Sequence, residues 1–286
     1  MKPSRSVFAA IRGLSYHCRC WGEPEWPKLF LLHGWMDVSA SFQFLVDALQ
    51  RRWHVIAPDW RGYGLTQWSG ADSYWFPDYF ADLDRLLDSF QPGEPVNLVG
   101  HSMGSNVAGM YAGIRPARVA RVICLEGFGM APAPSEEAPR RYARWLGEID
   151  KDSRFRDYAS FDELASRLRE NNQRLTSARA LFLAEHWGAL TPEGRVCLRA
   201  DPAHKRVNPV LYRIEEAKAC WDHVSAPALW VEGEDFMERT KITGADLAER
   251  KACFRDLTER IIDDAGHMLH HDQPERLAES IESFLP

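Results

Sequence analysis

Residues 95–114 read PVNLVGHSMGSNVAGMYAGI, a short apolar run, then a five-residue turn, then a helix-spaced stretch that stops before Pro116. The spacing predicts a buried strand entering a helix directly through Gly100-His101-Ser102-Met103-Gly104. So sharp a reversal demands small residues at 100 and 104, because a side chain there would collide with the adjoining backbone. It also lifts the Ser102 hydroxyl into solvent at a helix N-terminus, where the positive end of the helix dipole favours a developing anion. Ser102 is therefore the candidate nucleophile.

The same rhythm extends on both sides of this stretch. Upstream, residues 28–32 (KLFLL) are a continuous apolar run followed at once by His33-Gly34-Trp35, and residues 7–20 read as a strand pair around Gly13. Residues 39–50 and 79–90 carry apolar side chains at helical spacing, and 53–57 and 119–125 read as strands. Strands that are apolar on both faces and alternate with helices predict a parallel α/β sheet covered by helices on each side. Strand-like runs resume at 228–231 and 259–262, and 274–285 closes with an amphipathic helix. Between them, from APAPSEEAP onward, the chain is charged, aromatic and helical in pattern, with no convincing strand. The expected organisation is a core of residues 1–130 and 225–286 with a helical cap, residues 131–224, inserted into it.

An acyl-transfer nucleophile needs backbone N–H groups for the oxyanion. One comes from the residue after the nucleophile, Met103, and the loop after strand 28–32 places the Trp35 N–H at the same edge of the sheet. Cys18 and Cys20 share a strand face but have no second ligand pair at zinc spacing, and a trio of His267, His270 and His271 has no carboxylate-rich partner loop nearby in sequence. No metal and no cofactor are expected.

Taken together, HGWMDVSASF, PDWRGYGLT, GHSMG and AGHMLHHDQPERLAESIESFL resemble the successive landmarks of the α/β-hydrolase superfamily. LEGFGMAPAPSEEAPRRYARWL and DPAHKRVNPVLYRIEEAKACW further resemble its serine-hydrolase-like branch. The resemblance implies a Ser-acid-His triad beneath a helical lid. It makes His267, in the Gly-His after the last strand, the base, ahead of its neighbours His270 and His271. For the acid two candidates stand, Asp235 first and Glu126 as its alternative. Asp235 occupies the loop most relatives use, although it falls two residues after Gly233 where the family usually has three. Glu126 follows the strand 119–125 and resembles the placement of the acid in haloalkane dehalogenases, whose Asp nucleophile is absent here. Glu232 and Glu234 remain as further carboxylates. Asp59-Trp60-Arg61-Gly62-Tyr63-Gly64 resembles a family turn and is read as structural, with Arg61 paired to Asp59 or a neighbouring loop.

Composition narrows the rest. With 45% apolar and 27% charged residues and a net charge of −6, the chain reads as globular and lacks the basic field that nucleic acid or anionic lipid requires. The apolar run at 7–11 is too short for a signal-peptide core, and no stretch approaches the roughly 18 apolar residues of a membrane helix. Six scattered cysteines in a chain of this size suit a reduced, cytoplasmic compartment. Eleven Trp residues suit an apolar acyl pocket, for which Trp145, Trp187 and Phe128 are the candidates. The expected activity is cleavage of small, fairly apolar carboxylic esters, by a monomer or homodimer. Lactone, thioester and carbon–carbon bond hydrolysis run on the same triad, and a non-catalytic ligand receptor on this fold is the alternative of another class.

Overall fold

The computed structural model describes residues 1–151, 153–240 and 242–286. Its first two strands, β1 (Ser4–Ile11) and β2 (Leu14–Trp21), form the expected antiparallel pair, turning at Arg12 and Gly13, both at positive φ. The predicted alternation follows as β3 (Lys28–Leu32), α1 (Gln43–Ala48), β4 (His54–Pro58), α2 (Phe76–Phe90), β5 (Val96–His101), α3 (Met103–Ile114) and β6 (Val119–Leu125). The helix expected over 39–50 is shorter than its apolar spacing suggests. Its first turn, Ser39–Phe42, is a 3₁₀ turn, held by the Asp59 carboxylate on the Ser39 N–H and by Asp37 on the Ser41 hydroxyl.

After β6 the chain leaves the sheet for α4 (Ala138–Ile149), α5 (Phe161–Asn171), α6 (Ser177–Trp187), β7 (Gly188–Leu190), β8 (Val196–Leu198) and α7 (Ile214–Trp221). β7 and β8 pair antiparallel, a small second sheet the sequence did not suggest, because three-residue strands are too short to show a period of two. α7 lies directly on α3, where Gly113 leaves room for a neighbouring backbone: a Cβ there would stand 1.7 Å from the Cys220 carbonyl oxygen. The chain then returns through β9 (Ala228–Gly233), α8 (Phe236–Arg239), α9 (Gly244–Ala252), β10 (Leu257–Ile262), α10 (Leu269–Asp272) and α11 (Pro274–Phe284).

The main sheet has the order β1-β2-β4-β3-β5-β6-β9-β10, parallel from β4 to β10. Successive side chains of β3 show how it is sandwiched. Leu29 and Leu31 join a core that includes Leu45 and Val46 of α1 and Leu277 and Ile281 of α11. Phe30 and Leu32, pointing the other way, join Leu83 and Leu87 of α2, Val107 of α3 and Trp221 of α7. β3 is thus consumed on both faces. Because β3, β5, β6, β9 and β10 are parallel, the loops that leave them gather at one edge of the sheet, where an open α/β sheet presents its binding crevice.

Candidate active site

At that edge Ser102 sits between β5 and α3 with φ of 52°, a conformation costing a non-glycine residue about 1–3 kcal/mol. The surroundings enforce it. The Ser102 N–H donates to the Leu125 carbonyl at 2.8 Å, and the two flanking glycines are squeezed. A Cβ on Gly100 would lie 2.2 Å from the Gly104 carbonyl oxygen, and one on Gly104 would lie 2.1 Å from that of Leu32. The turn read from sequence is therefore present, with small residues required for the stated reason.

His267 follows β10 and presents its Nε2 at 3.0 Å from Ser102 Oγ. Its Nδ1 lies 3.3 Å from Glu126 Oε2. Glu126 leaves the end of β6, also at positive φ, and its side chain is wholly buried. Its Oε1 accepts the Gly233 N–H at 2.6 Å, and Oε2 accepts from Arg239 Nη2 at 2.8 Å. A carboxylate this deep needs such compensation.

Asp235, the carboxylate the sequence reading favoured, does not reach the imidazole. It stands just before α8, and its Oδ1 accepts from Arg239 Nε, four residues on, while Oδ2 faces Arg174 at 3.7 Å. The cause is local: with α8 starting at Phe236, Asp235 and Arg239 become an i, i+4 pair on one helix face. Asp235 therefore holds the guanidinium that binds Glu126. Of the other acids, Glu232 is half-buried within β9, and Glu234 faces Arg174 at 3.9 Å.

The loop after β3 passes close to Ser102. A Cβ on Gly34 would stand 3.1 Å from Ser102 Cβ, so Trp35 follows immediately beside the nucleophile. Met103 is the first residue of α3, whose N–H has no partner within the helix. Trp35 and Met103 both line the cavity above Ser102. His33 anchors this loop from below: its Nε2 accepts the Trp60 N–H at 2.9 Å, and its own carbonyl accepts from Trp60 Nε1 at 2.9 Å. Arg61 in the following turn pairs with Asp82 of α2 through Nε and Nη2 rather than with Asp59. Asp59 instead binds His17 Nδ1 at 2.7 Å and the N–H groups of Ser39 and Leu65. Burial alone would raise the Asp59 pKa, but these bonds, that to His17 foremost, bring it down to about 2.

A cavity of about 470 Å³ opens over Ser102. Its walls are Tyr74, Trp75, Phe76 and Tyr79 at the start of α2, Met130 after β6, and Ala203, His204, Arg206 and Asn208. None of the three aromatic residues expected there lines it. Phe128 stacks on Trp230 with ring centres 3.3 Å apart, inside the core. Trp187 ends α6 and donates from Nε1 to Ser41 Oγ at 3.2 Å, tying that helix to the loop after β3. Trp145 lies on α4, a helix with no fully buried residue. These aromatics do carry a sequence signal, the cluster YWFPDYF at 74–80, of which the expected helix over 79–90 takes in only the end; the helix starts earlier, at Phe76, with Pro77 in its first turn. His204 is stacked between Tyr63 and Tyr74 at 3.8 Å each, and burial brings its pKa down to about 3, so it stands neutral in the wall.

A family model described as the alpha/beta hydrolase fold matches residues 27–274. A serine hydrolase-like protein of Danio rerio is 25% identical over 274 residues, which is 93% of this chain and 83% of that protein. Among solved structures, the thioesterase domain from the curacin biosynthetic pathway has a TM-score of 0.88 at 23% identity, covering 98% of this chain and 99% of that one. An esterase from Mycobacterium tuberculosis has a TM-score of 0.75 at 20% identity, covering 100% of this chain and 91% of that one.

Proposed function

The chain belongs to the α/β-hydrolase superfamily, in its serine-hydrolase-like branch, and on that premise we propose that it is a serine hydrolase cleaving carboxylic esters through an acyl-enzyme. The observation that carries this reading is the alignment of three side chains: Ser102 Oγ at 3.0 Å from His267 Nε2, and His267 Nδ1 at 3.3 Å from Glu126 Oε2. In this reading His267 Nε2 takes the Ser102 proton as Oγ attacks the carbonyl carbon. Glu126 accepts the Nδ1–H, holds that tautomer and stabilises the imidazolium. The N–H groups of Trp35 and Met103 receive the oxyanion. His267 then returns the proton to the leaving alcohol, and water, activated by the same imidazole, releases the acid.

Residues 131–224 act in this proposal as the lid, contributing Ala203, His204, Arg206 and Asn208 to the cavity wall. A cavity of about 470 Å³ with an aromatic wall of Trp35, Tyr74, Trp75, Phe76 and Tyr79 suits an apolar acyl chain, with Arg206 and Asn208 as polar anchors. Thioesters are the second reading, favoured by the fold likeness to the curacin thioesterase domain. The test pairs a fluorophosphonate probe with a series of nitrophenyl esters and acyl thioesters. Wild type should be labelled at Ser102 and turn over, and Ser102→Ala should do neither. A wild-type protein that binds apolar acids in the cavity but shows neither labelling nor turnover would instead be a ligand receptor.

A further inference from the structure

Next to the Ser102–His267 pair, among buried residues that do not line the cavity, lies a polar cluster that the proposed hydrolysis does not use. Asp37 comes from the loop after β3, His101 is the last residue of β5, and His270 belongs to α10; they are 2%, 1% and 0% exposed. One oxygen of Asp37 is occupied, Oδ1 accepting the Val38 N–H at 2.8 Å and the Ser41 hydroxyl. Its Oδ2 has no hydrogen-bond partner, and among the described residues no Lys or Arg is paired with it. His101 Nε2 lies 2.7 Å from the His267 carbonyl oxygen, so that nitrogen carries the hydrogen, and the Nδ1 lone pair is left without a partner. Both ring nitrogens of His270 also lack partners, and Nε2 stands 3.7 Å from Asp37 Oδ2.

We propose that Asp37, His101 and His270 form a binding site for one divalent transition-metal ion of the zinc class. The three residues offer ligand atoms within 4.8 Å of one another. Ligands at about 2.0–2.1 Å from zinc stand roughly 3.3 Å apart across a tetrahedron, so a small closure suffices. Two imidazole nitrogens and one carboxylate oxygen select zinc, cobalt or nickel over calcium or magnesium. The His101 N–H donating to a backbone carbonyl is the outer hydrogen bond that metal-ligating histidines commonly make. A dication also compensates a carboxylate that is otherwise costly to bury. The ligands belong to the three segments that carry Trp35, Ser102 and His267, so the ion pins those segments together and takes no part in bond cleavage. The histidine trio considered from sequence lacked a carboxylate. The fold supplies one from Asp37 and keeps only His270 of that trio: His267 is turned to Ser102, His271 is outside the group, and His101 provides the second imidazole.

The site is sealed, so the full chain is expressed with zinc or cobalt, or refolded in their presence, and then treated with a chelator and desalted. Wild type should retain about one equivalent of metal per chain. X-ray absorption of the zinc form should show two imidazole ligands, and the cobalt form should show intense four-coordinate absorption bands. His270→Gln and Asp37→Asn should each lower the retained metal at least about tenfold, whereas His267→Ala should keep it. Wild type that retains no metal, or a zinc spectrum without two imidazoles, overturns the proposal without need of any variant. Loss of the metal in His267→Ala would also overturn it, by placing the ion at the Ser102–His267 pair.

Discussion

The assignment of the acid rests on one ångström-level fact, that Glu126 and not Asp235 stands against His267. In the proposed mechanism a carboxylate at that place stabilises the imidazolium formed as Ser102 gives up its proton, and an amide presents the wrong tautomer. Glu126→Gln should therefore lower kcat by about 10³–10⁴ while KM changes little. Asp235→Asn acts only through Arg239 and should cost within about tenfold, since the Arg239 bond to Glu126 remains. Steady-state kinetics of both variants on a small ester checks the pair, and the reverse ranking would return the acid role to Asp235. The sequence brought both carboxylates into view but ranked Asp235 first, the reverse of what the geometry places at His267. Spacing identifies the loop that carries a side chain, whereas the hydrogen bond depends on where α8 begins and on the positive φ at Glu126.

Elements set the next constraint, because the turn into α3 and the start of α2 are two of the pieces that line the cavity. Gly104 lies against β3, and a Cβ there would meet the Leu32 carbonyl at 2.1 Å, a backbone atom that cannot swing aside. Gly104→Ala should displace the turn, lowering turnover at least about a hundredfold through misplacement of Ser102 and reducing Tm by several degrees, readable in one thermal scan and one assay. The N-terminus of α2 should govern specificity. Trp75→Ala enlarges the cavity and should shift acyl-chain preference towards longer esters, with a smaller effect on the shortest one. Trp187→Phe, which loses the bond to Ser41 and some ring volume outside the cavity, should leave that preference where it is. A chain-length profile that moves with Trp187 and not with Trp75 would place the acyl site elsewhere.

For the whole molecule, the buried Asp59 joins β2, the turn after β4 and the 3₁₀ turn before α1, through His17, Leu65 and Ser39. Its pKa of about 2 in the fold lies below the ordinary carboxylate value of about 3.9 in an unfolded chain. The sign follows directly: this carboxylate stabilises the fold above pH of about 4, and the contribution is lost as pH falls from about 4 to about 2. It amounts to roughly 2–3 kcal/mol at neutral pH, so Asp59→Asn should unfold at lower denaturant and show a flatter stability profile across that acid window. An unchanged profile would show that the pair to His17 carries no net charge effect. Much of this architecture could be read along the chain. The doubly apolar strands, the Gly100–Gly104 turn, the loop at His33 and the Gly-His after β10 are local patterns, each set by neighbours a few residues apart. What stayed hidden joins residues far apart in sequence: the carboxylate at His267, the aromatics over Ser102, and the gathering of Asp37, His101 and His270. These are settled by strand order and by where each loop lands on the sheet edge, because hydrogen bonds and ligand geometry are fixed over a few tenths of an ångström, a distance that residue spacing does not encode.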